Sequence, residues 1–469
     1  MGAQRAGVLV AEWGRGLLGH PASKPLVTLG AALVTLVIVY LQVRATSAGI
    51  SSADLYAYYD AALAVRERRD PFVPVATWIA SYHPGETLVA TYYVYTPFFA
   101  ALLIPLTFVP VDVAYVLWSL CNLLFLVGAV YAALRVCGVY PSAMHVAILS
   151  AAAALWNSTR LELQWGQADL LVLFCVAVSL WAALEKRPIL AGALLAVACL
   201  TKPFLLCFVV ALLWKREYRY ALVSAGAFLV GLIAPFIWIG VDSWRDQLTV
   251  WSFWSNQYVP FIDNQAPKGV FARLFTVNPN TTPLVNAPWL MTALWLIVAA
   301  LVVGIVAASV SRRRLVSDDR TLVELSLIIT AMLLISPLTE YIYIVILILP
   351  FVLLTTVLWR HGWQEPHTRP MWLCLALIWL LLVFPLKNIE YFFWPRMASA
   401  SGPLLVAYVW LAVPYLYVII GLFALELWLL RLVTGQTLRD ALKALPGDIW
   451  ADWRNAGWRN RLAARDASV

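Results

Sequence analysis

Charge is scarce in this sequence. Only 12% of its 469 residues are Asp, Glu, Lys or Arg, against about 25% in an ordinary soluble domain, while 62% are hydrophobic. That composition excludes a water-soluble globular protein. Cysteine chemistry is thin as well. The six cysteines (Cys121, Cys137, Cys175, Cys199, Cys207 and Cys374) lie in or at the ends of apolar runs, and none forms a C-x-x-C pair. They read as small core residues rather than a disulfide framework or a thiolate metal site. The five histidines show no metal-ligand spacing either. Internal repeats and low-complexity tracts are missing, which weighs against a transporter built from inverted repeats. The alternation of a transmembrane barrel is also absent.

What is present is apolar length. Stretches of roughly 17–25 apolar residues recur along the chain, the length needed to cross about 30 Å of hydrocarbon as a helix. In lipid every backbone group must be paired within its own segment, so the class is an all-α polytopic membrane protein. The pattern predicts twelve transmembrane helices, near 25–43, 112–134, 143–158, 168–184, 188–201, 204–214, 220–240, 288–310, 321–338, 342–359, 371–386 and 402–430. The fifth and sixth meet at Lys202-Pro203 and read as a bent or incompletely crossing pair. The stretch 97–109, with prolines at 97, 105 and 110, reads as a juxtamembrane or re-entrant helix.

Charge then orients the threading. With the N-terminus in the cytoplasm, 22 of the 33 Lys and Arg fall on the inner side, including Lys215-Arg216 and Arg312-Arg313-Arg314. This asymmetry is the positive-inside pattern, and it places both termini in the cytoplasm of a multi-pass cell-membrane protein. It also accounts for the net charge of +8 without any nucleic acid. Arg5, Arg15 and Lys24 precede the first run, which reads as a retained anchor rather than a cleaved signal. Residues 1–440 read as one transmembrane domain. Residues 441–469, where Trp450, Trp453 and Trp458 lie near Arg454, Arg459 and Arg461, read as an amphipathic cytoplasmic tail on the inner leaflet or as a solvated one.

Two outer loops, 45–96 and 241–287, carry most of the polar residues. In the first, Leu55, Tyr58, Tyr59, Ala62 and Leu63 recur at helical spacing, which predicts a short juxtamembrane helix over 51–70. Asp54 stands at its start. Ser51-x-x-Asp54 matches a capping box, and the same carboxylate at the lip of the bilayer suits a base acting on a substrate with a tail in lipid. The two roles are compatible. Trp165-Gly166-Gln167-Ala168-Asp169 brings Asp169 to the top of a span, where an ionisable group usually faces a cavity, and Gln167 suits sugar hydroxyls. The other reading is an interfacial turn. Lys202 either snorkels to the surface or neutralises a lipid phosphate. Arg160 and Arg273 are further outer cations whose forked donors suit phosphate oxygens.

The second loop reads Asp263-Asn264-Gln265-Ala266-Pro267-Lys268-Gly269-Val270-Phe271-Ala272-Arg273. Its amides Asn264 and Gln265, its glycine turn and the cations Lys268 and Arg273 suit a sugar phosphate. Ser336-Pro337-Leu338-Thr339-Glu340-Tyr341 breaks a span at its outer end and brings Glu340 and Tyr343 toward the same rim.

These segments, in this order, resemble the GT-C membrane glycosyltransferases, and most of all glycosyltransferase family 87. The resemblance rests on Asp54-Leu55-Tyr56-Ala57-Tyr58-Tyr59, Tyr95-Thr96-Pro97 and Gly166-Gln167-Ala168-Asp169. It continues through Ala191-Gly192 to Lys202-Pro203, then Asn264-Gln265 with Gly269 and Arg273, and Ser336-Pro337. Asp169 stands where the family often has Asn, and Glu340-Tyr341-Ile342-Tyr343 stands where a histidine commonly follows the Ser-Pro motif. The resemblance implies a GT-C fold and a polyprenyl-phosphate monosaccharide donor, with no cofactor and no metal. The acceptor would be a lipid-linked or cell-envelope glycan. Asp54 would be the general base of an inverting transfer, with the active site extracytoplasmic. Tyr58, Tyr59, Arg160, Gln167, Asp169, Lys202, Asn264, Gln265, Lys268, Arg273, Glu340 and Tyr343 would line the substrates. Mannose is the favoured sugar and arabinofuranose the alternative. A transporter or flippase of lipid-linked sugars is the competing class.

Overall fold

The structure is a computed structural model that describes residues 23–46, 54–81, 92–436, 440 and 443. Arg5, Arg15, Ser51 and the tail tryptophans lie outside the described residues, and with them the anchor flank, the capping box and the amphipathic tail.

Among the described residues the regular structure is helical, with only two isolated extended bridges, Asn264 to Glu340 and Asn278 to Thr281. Among the described residues six helices are long and apolar enough to cross a membrane: Lys24–Ala45, Val111–Val136, Tyr218–Ile239, Pro288–Ser309, Tyr341–His361 and Pro414–Thr434. Two bent pairs raise the number to eight. Asn157–Trp165 meets Asp169–Leu184 at 116°, and Arg369–Val383 meets Lys387–Ser399 at 64°. Among the described residues, six to eight spans by length and composition stand against the twelve read from the sequence. Ala143–Ala154, Pro188–Thr201 and Pro203–Trp214 are too short alone. The single stretch 402–430 is two helices, Gly402–Leu411 and Pro414–Thr434, because Pro414 cannot continue a helix and instead starts one. Hydrophobicity detects apolar residues, and it is blind to these interruptions.

The stretch 97–109 forms the α-helix Pro97–Leu102 and the 3-10 turn Ile104–Phe108. Together they rise roughly 20 Å, short of the hydrocarbon thickness. Within the described residues the first-loop helix is Asp54–Arg66, ending before 70, and a second helix, Val73–Ser81, follows it.

The core is a row of packed helices. Val111–Val136 lies along Asp169–Leu184, which packs on Pro188–Thr201, which packs on Tyr218–Ile239; Asp319–Ile335 lies between Ile348–His361 and Pro414–Thr434. The two ends of Asp319–Ile335 differ. Near its start Glu324 accepts from Lys215 Nζ at 2.6 Å and from Arg320 Nε at 2.8 Å, and Ser311 N–H donates to it at 2.9 Å. Its far end runs into Ser336-Pro337 and the second loop, where Gln265 N–H donates to Thr339 O at 2.7 Å. Chemistry gathers at that second end.

Candidate active site

The 116° bend makes the site possible. Gly166 ends helix Asn157–Trp165 with φ +64°, the left-handed conformation that glycine adopts without strain. A Cβ there would also meet the Leu55 Cβ at 2.9 Å, so the missing side chain lets the bend press against helix Asp54–Arg66. The break exposes carbonyls inside the protein, and helix Val111–Val136 satisfies them. Trp118 Nε1 donates to Gly166 O at 2.9 Å and to Gln167 O at 3.0 Å, and Tyr115 OH donates to Leu163 O at 2.9 Å. Glu162 caps the next helix by accepting from Leu170 N–H at 3.1 Å. The turn between helix Asn157–Trp165 and helix Asp169–Leu184 thus has its carbonyls paired inside the protein.

Asp54 is the first described residue of helix Asp54–Arg66 and is half-buried. Gln167 Nε2 donates a short hydrogen bond to its Oδ2. The same amide accepts at Oε1 from Tyr58 OH at 2.7 Å and from Tyr95 OH at 3.0 Å. Burial first, then Tyr95 and Asp54, push the Tyr58 phenol well up, so it remains a neutral donor. One turn further on, Asp169 pairs with Lys202 Nζ at 3.2 Å, and both are almost wholly buried. Lys202 lies over the ring of Tyr343 at 3.9 Å and that of Tyr95 at 5.1 Å, and Tyr343 stacks on Phe204. The break before Pro203 is what turns this lysine inward.

Glu340 closes the other side. Burial drives its carboxyl up to about 8, with Asp263, Asp54 and Asp169 adding to the rise and Lys202 opposing it. At neutral pH it is chiefly the neutral acid. Asp263 is also raised, by burial, with Lys387 pulling it back. Asp54, Tyr58, Gln167, Asp169, Lys202, Glu340 and Tyr343 thus share one neighbourhood, as the sequence order suggested.

The remaining residues singled out in the sequence have other partners. Tyr59 OH donates to Val109 O at 2.9 Å. Arg160 Nη2 donates to Val383 O at 2.9 Å and, more weakly, to Asn157 Oδ1 at 3.4 Å. Asn264 spends its whole side chain on the backbone. Its Nδ2 donates to Val259 O at 2.8 Å and Pro337 O at 3.1 Å, and its Oδ1 accepts from Ala266 N–H at 2.9 Å and Thr339 N–H at 3.1 Å. Gln265 ties Ile262 and Ala412 carbonyls to Tyr415 N–H. Lys268 lies over the Trp295 ring at 4.5 Å. Arg273 is fully buried and donates to the carbonyls of Pro260, Phe261, Ile262 and Asn264. Asn264, Gln265 and Arg273 build the loop that carries Asp263.

Sequence reading gave no site role to Lys387, Tyr95, Asp263, Tyr391 or Tyr258. Burial raises Tyr258, followed by Glu340, Asp263 and Asp54, which places it among them. A signal for Lys387 was present: Pro385-Leu386-Lys387 follows an apolar run with a lysine two residues from a proline, close to the pattern at Lys202-Pro203. Among the described residues no three His, Cys, Asp or Glu side chains gather as a metal site.

The family model for glycosyltransferase family 87 matches residues 93–337, a little over half of the chain. The chain belongs to glycosyltransferase family 87. The match contains Tyr95, Gln167, Asp169, Lys202 and Arg273, and it begins after Asp54. A search of curated proteins gave no match. This family-87 chain is a membrane-embedded glycosyltransferase, and its reaction joins a sugar donor to an acceptor.

Proposed function

We propose that the protein moves one monosaccharide, mannose in the favoured case and arabinofuranose in the alternative, from a polyprenyl-phosphate donor to a hydroxyl of a lipid-linked or cell-envelope glycan. The transfer takes place at the outer face of the cell membrane, within one transmembrane domain of GT-C type. The observation that carries this reading is the Asp54 carboxylate held by Gln167 beside the buried Lys202–Asp169 pair. The carboxylate and the lysine lie at one end of the helices, where a sugar head meets water and its tail stays in lipid.

Asp54 accepts the proton of the acceptor hydroxyl as that oxygen attacks the anomeric carbon. The bond from that carbon to the donor phosphate breaks, and the electron pair leaves with the phosphate. One base and direct displacement invert the anomeric centre, and no carboxylate nucleophile is needed. Gln167 aims Asp54 and is itself fixed by Tyr58 and Tyr95. Lys202 contributes positive potential to the leaving phosphate, although Asp169 balances much of its charge. Glu340, kept neutral near pH 7, adds no repulsion to an anionic donor. Asn264, Gln265 and Arg273 hold the second loop in place.

The test is direct. Purified protein in detergent is given a panel of polyprenyl-phosphate sugars with a glycolipid acceptor, and products are read by mass spectrometry. A new glycolipid one sugar heavier is expected. Transport of intact lipid-linked sugar in vesicles, with no product formed in detergent, would favour a flippase and overturn the proposal.

A further inference from the structure

Lys387 opens helix Lys387–Ser399 at the 64° break after Arg369–Val383. Its Nζ donates to Tyr341 OH at 2.6 Å and sits over the rings of Tyr341 at 4.0 Å, Tyr391 at 5.0 Å and Trp165 at 5.7 Å. No carboxylate forms an ion pair with it among the described residues, yet Asp263 feels its charge, so it borders the same site. Three of the other candidate cations have partners of their own, and Lys268 lies over the Trp295 ring. Lys202 is paired with Asp169, Arg160 is tied to Asn157 and Val383, and Arg273 is closed inside the second loop. Lys387 is half-buried and keeps two N–H donors beyond the one given to Tyr341.

A second observation concerns its neighbours. Phe384, Ile389 and Phe392 are exposed, and only Glu390 and Met397 of this helix are buried. An ammonium lined by aromatic rings therefore stands beside the exposed apolar side chains of Phe384, Ile389 and Phe392. That pairing suits an anion whose other end is greasy, rather than a free anion from water.

Building on the function proposed above, we infer that Lys387 binds the phosphate of the lipid-linked donor, with Tyr341 OH as a second donor to the same group. In the donor this phosphate is a diester with one negative charge. As the anomeric C–O bond breaks, its electron pair moves onto the phosphate oxygen, and the released polyprenyl phosphate gains a second charge. The proton lost by the acceptor goes to Asp54. A cation in contact with the departing oxygens stabilises this developing charge.

The experiment measures binding of polyprenyl phosphate, the unreactive product, to wild type, Lys387→Gln and Lys387→Arg in nanodiscs, with inorganic phosphate as the comparison probe. Wild type should bind the lipid phosphate and ignore inorganic phosphate at equal concentration. K387Q should bind on the order of ten- to a hundredfold more weakly, and K387R should recover most of the loss. Equal binding by wild type and K387Q overturns the assignment to Lys387 alone. A wild type that does not bind polyprenyl phosphate overturns the lipid-donor reading and this assignment with it. Inorganic phosphate binding as tightly as the lipid form overturns the lipid-borne source. Should K387Q fail to fold, a diazirine polyprenyl phosphate added to wild type should label the peptide spanning 384–392; labelling confined elsewhere overturns the proposal.

Discussion

Gln167 donates its side-chain amide to the Asp54 carboxylate, joining positions 113 residues apart in the chain. Neither residue explains the contact alone. It requires the bend at Gly166, the close approach to Leu55 and the anchoring of the bent backbone by Trp118. The amide's oxygen is occupied by two phenols, so its nitrogen is oriented toward the carboxylate. Gln167→Ala should leave the fold intact and lower the transfer rate on the order of a hundredfold, because an unaimed base is misplaced relative to its proton. Steady-state kinetics would show the loss mainly in kcat.

Gly166→Ala should act differently, through the fold. The substitution puts a methyl group at φ +64° and drives it to 2.9 Å from Leu55 Cβ. The left-handed conformation alone costs about 1–2 kcal/mol, and the clash adds to it. Thermal unfolding in detergent should fall by several degrees, together with activity.

Arg273→Met separates structural from phosphate-binding roles. Losing its guanidinium strands the carbonyls of Phe261, Ile262 and Asn264, at about 1–3 kcal/mol for each group left unpaired. The expected result is a marked drop in melting temperature, with the donor KM of the remaining folded protein within a few-fold of wild type. A protein of normal stability with a greatly raised donor KM would assign Arg273 to the phosphate instead.

Glu340 gives a pH signature. Its carboxyl is raised from 4.5 to about 8, so the folded state favours the neutral acid. Its contribution to stability is therefore complete below pH 4.5 and is lost as pH rises through about 8. Above that value a new negative charge also stands near Lys202, Asp54, Asp169 and Asp263, and the donor KM should rise. Glu340→Gln should flatten both trends, measured as melting temperature and donor KM from pH 5 to 9. A wild type and variant with parallel profiles would remove Glu340 from the site.

Much of this site was legible before the structure, for a physical reason. Polar residues are costly in an apolar chain, so Asp54, Gln167, Asp169 and Lys202 stand out as exceptions that need partners. Their order along the chain gave the family. What could not be read was which partner each exception takes. Asn264 and Arg273 looked like ligands for a sugar phosphate because amides and guanidinium groups bind such ligands, yet backbone carbonyls in a turn offer the same hydrogen bonds. Helix breaks were the other blind spot. Gly166 bends one pair by 116°, and Pro414 begins a second helix where the apolar stretch 402–430 continues uninterrupted. Lys387 sits just outside an apolar run, where a lysine ordinarily snorkels to water, so the sequence does not mark it as a site residue.

Replacing Asp54 by Asn tests the central claim most directly. The side chain keeps its size and can still meet Gln167, but it no longer accepts a proton at neutral pH. Transfer from a polyprenyl-phosphate sugar to acceptor, followed by mass spectrometry, should fall by roughly 10²–10⁴ while polyprenyl phosphate still binds. A folded Asp54→Asn protein that transfers sugar at the wild-type rate would contradict the assignment of this carboxylate as the base.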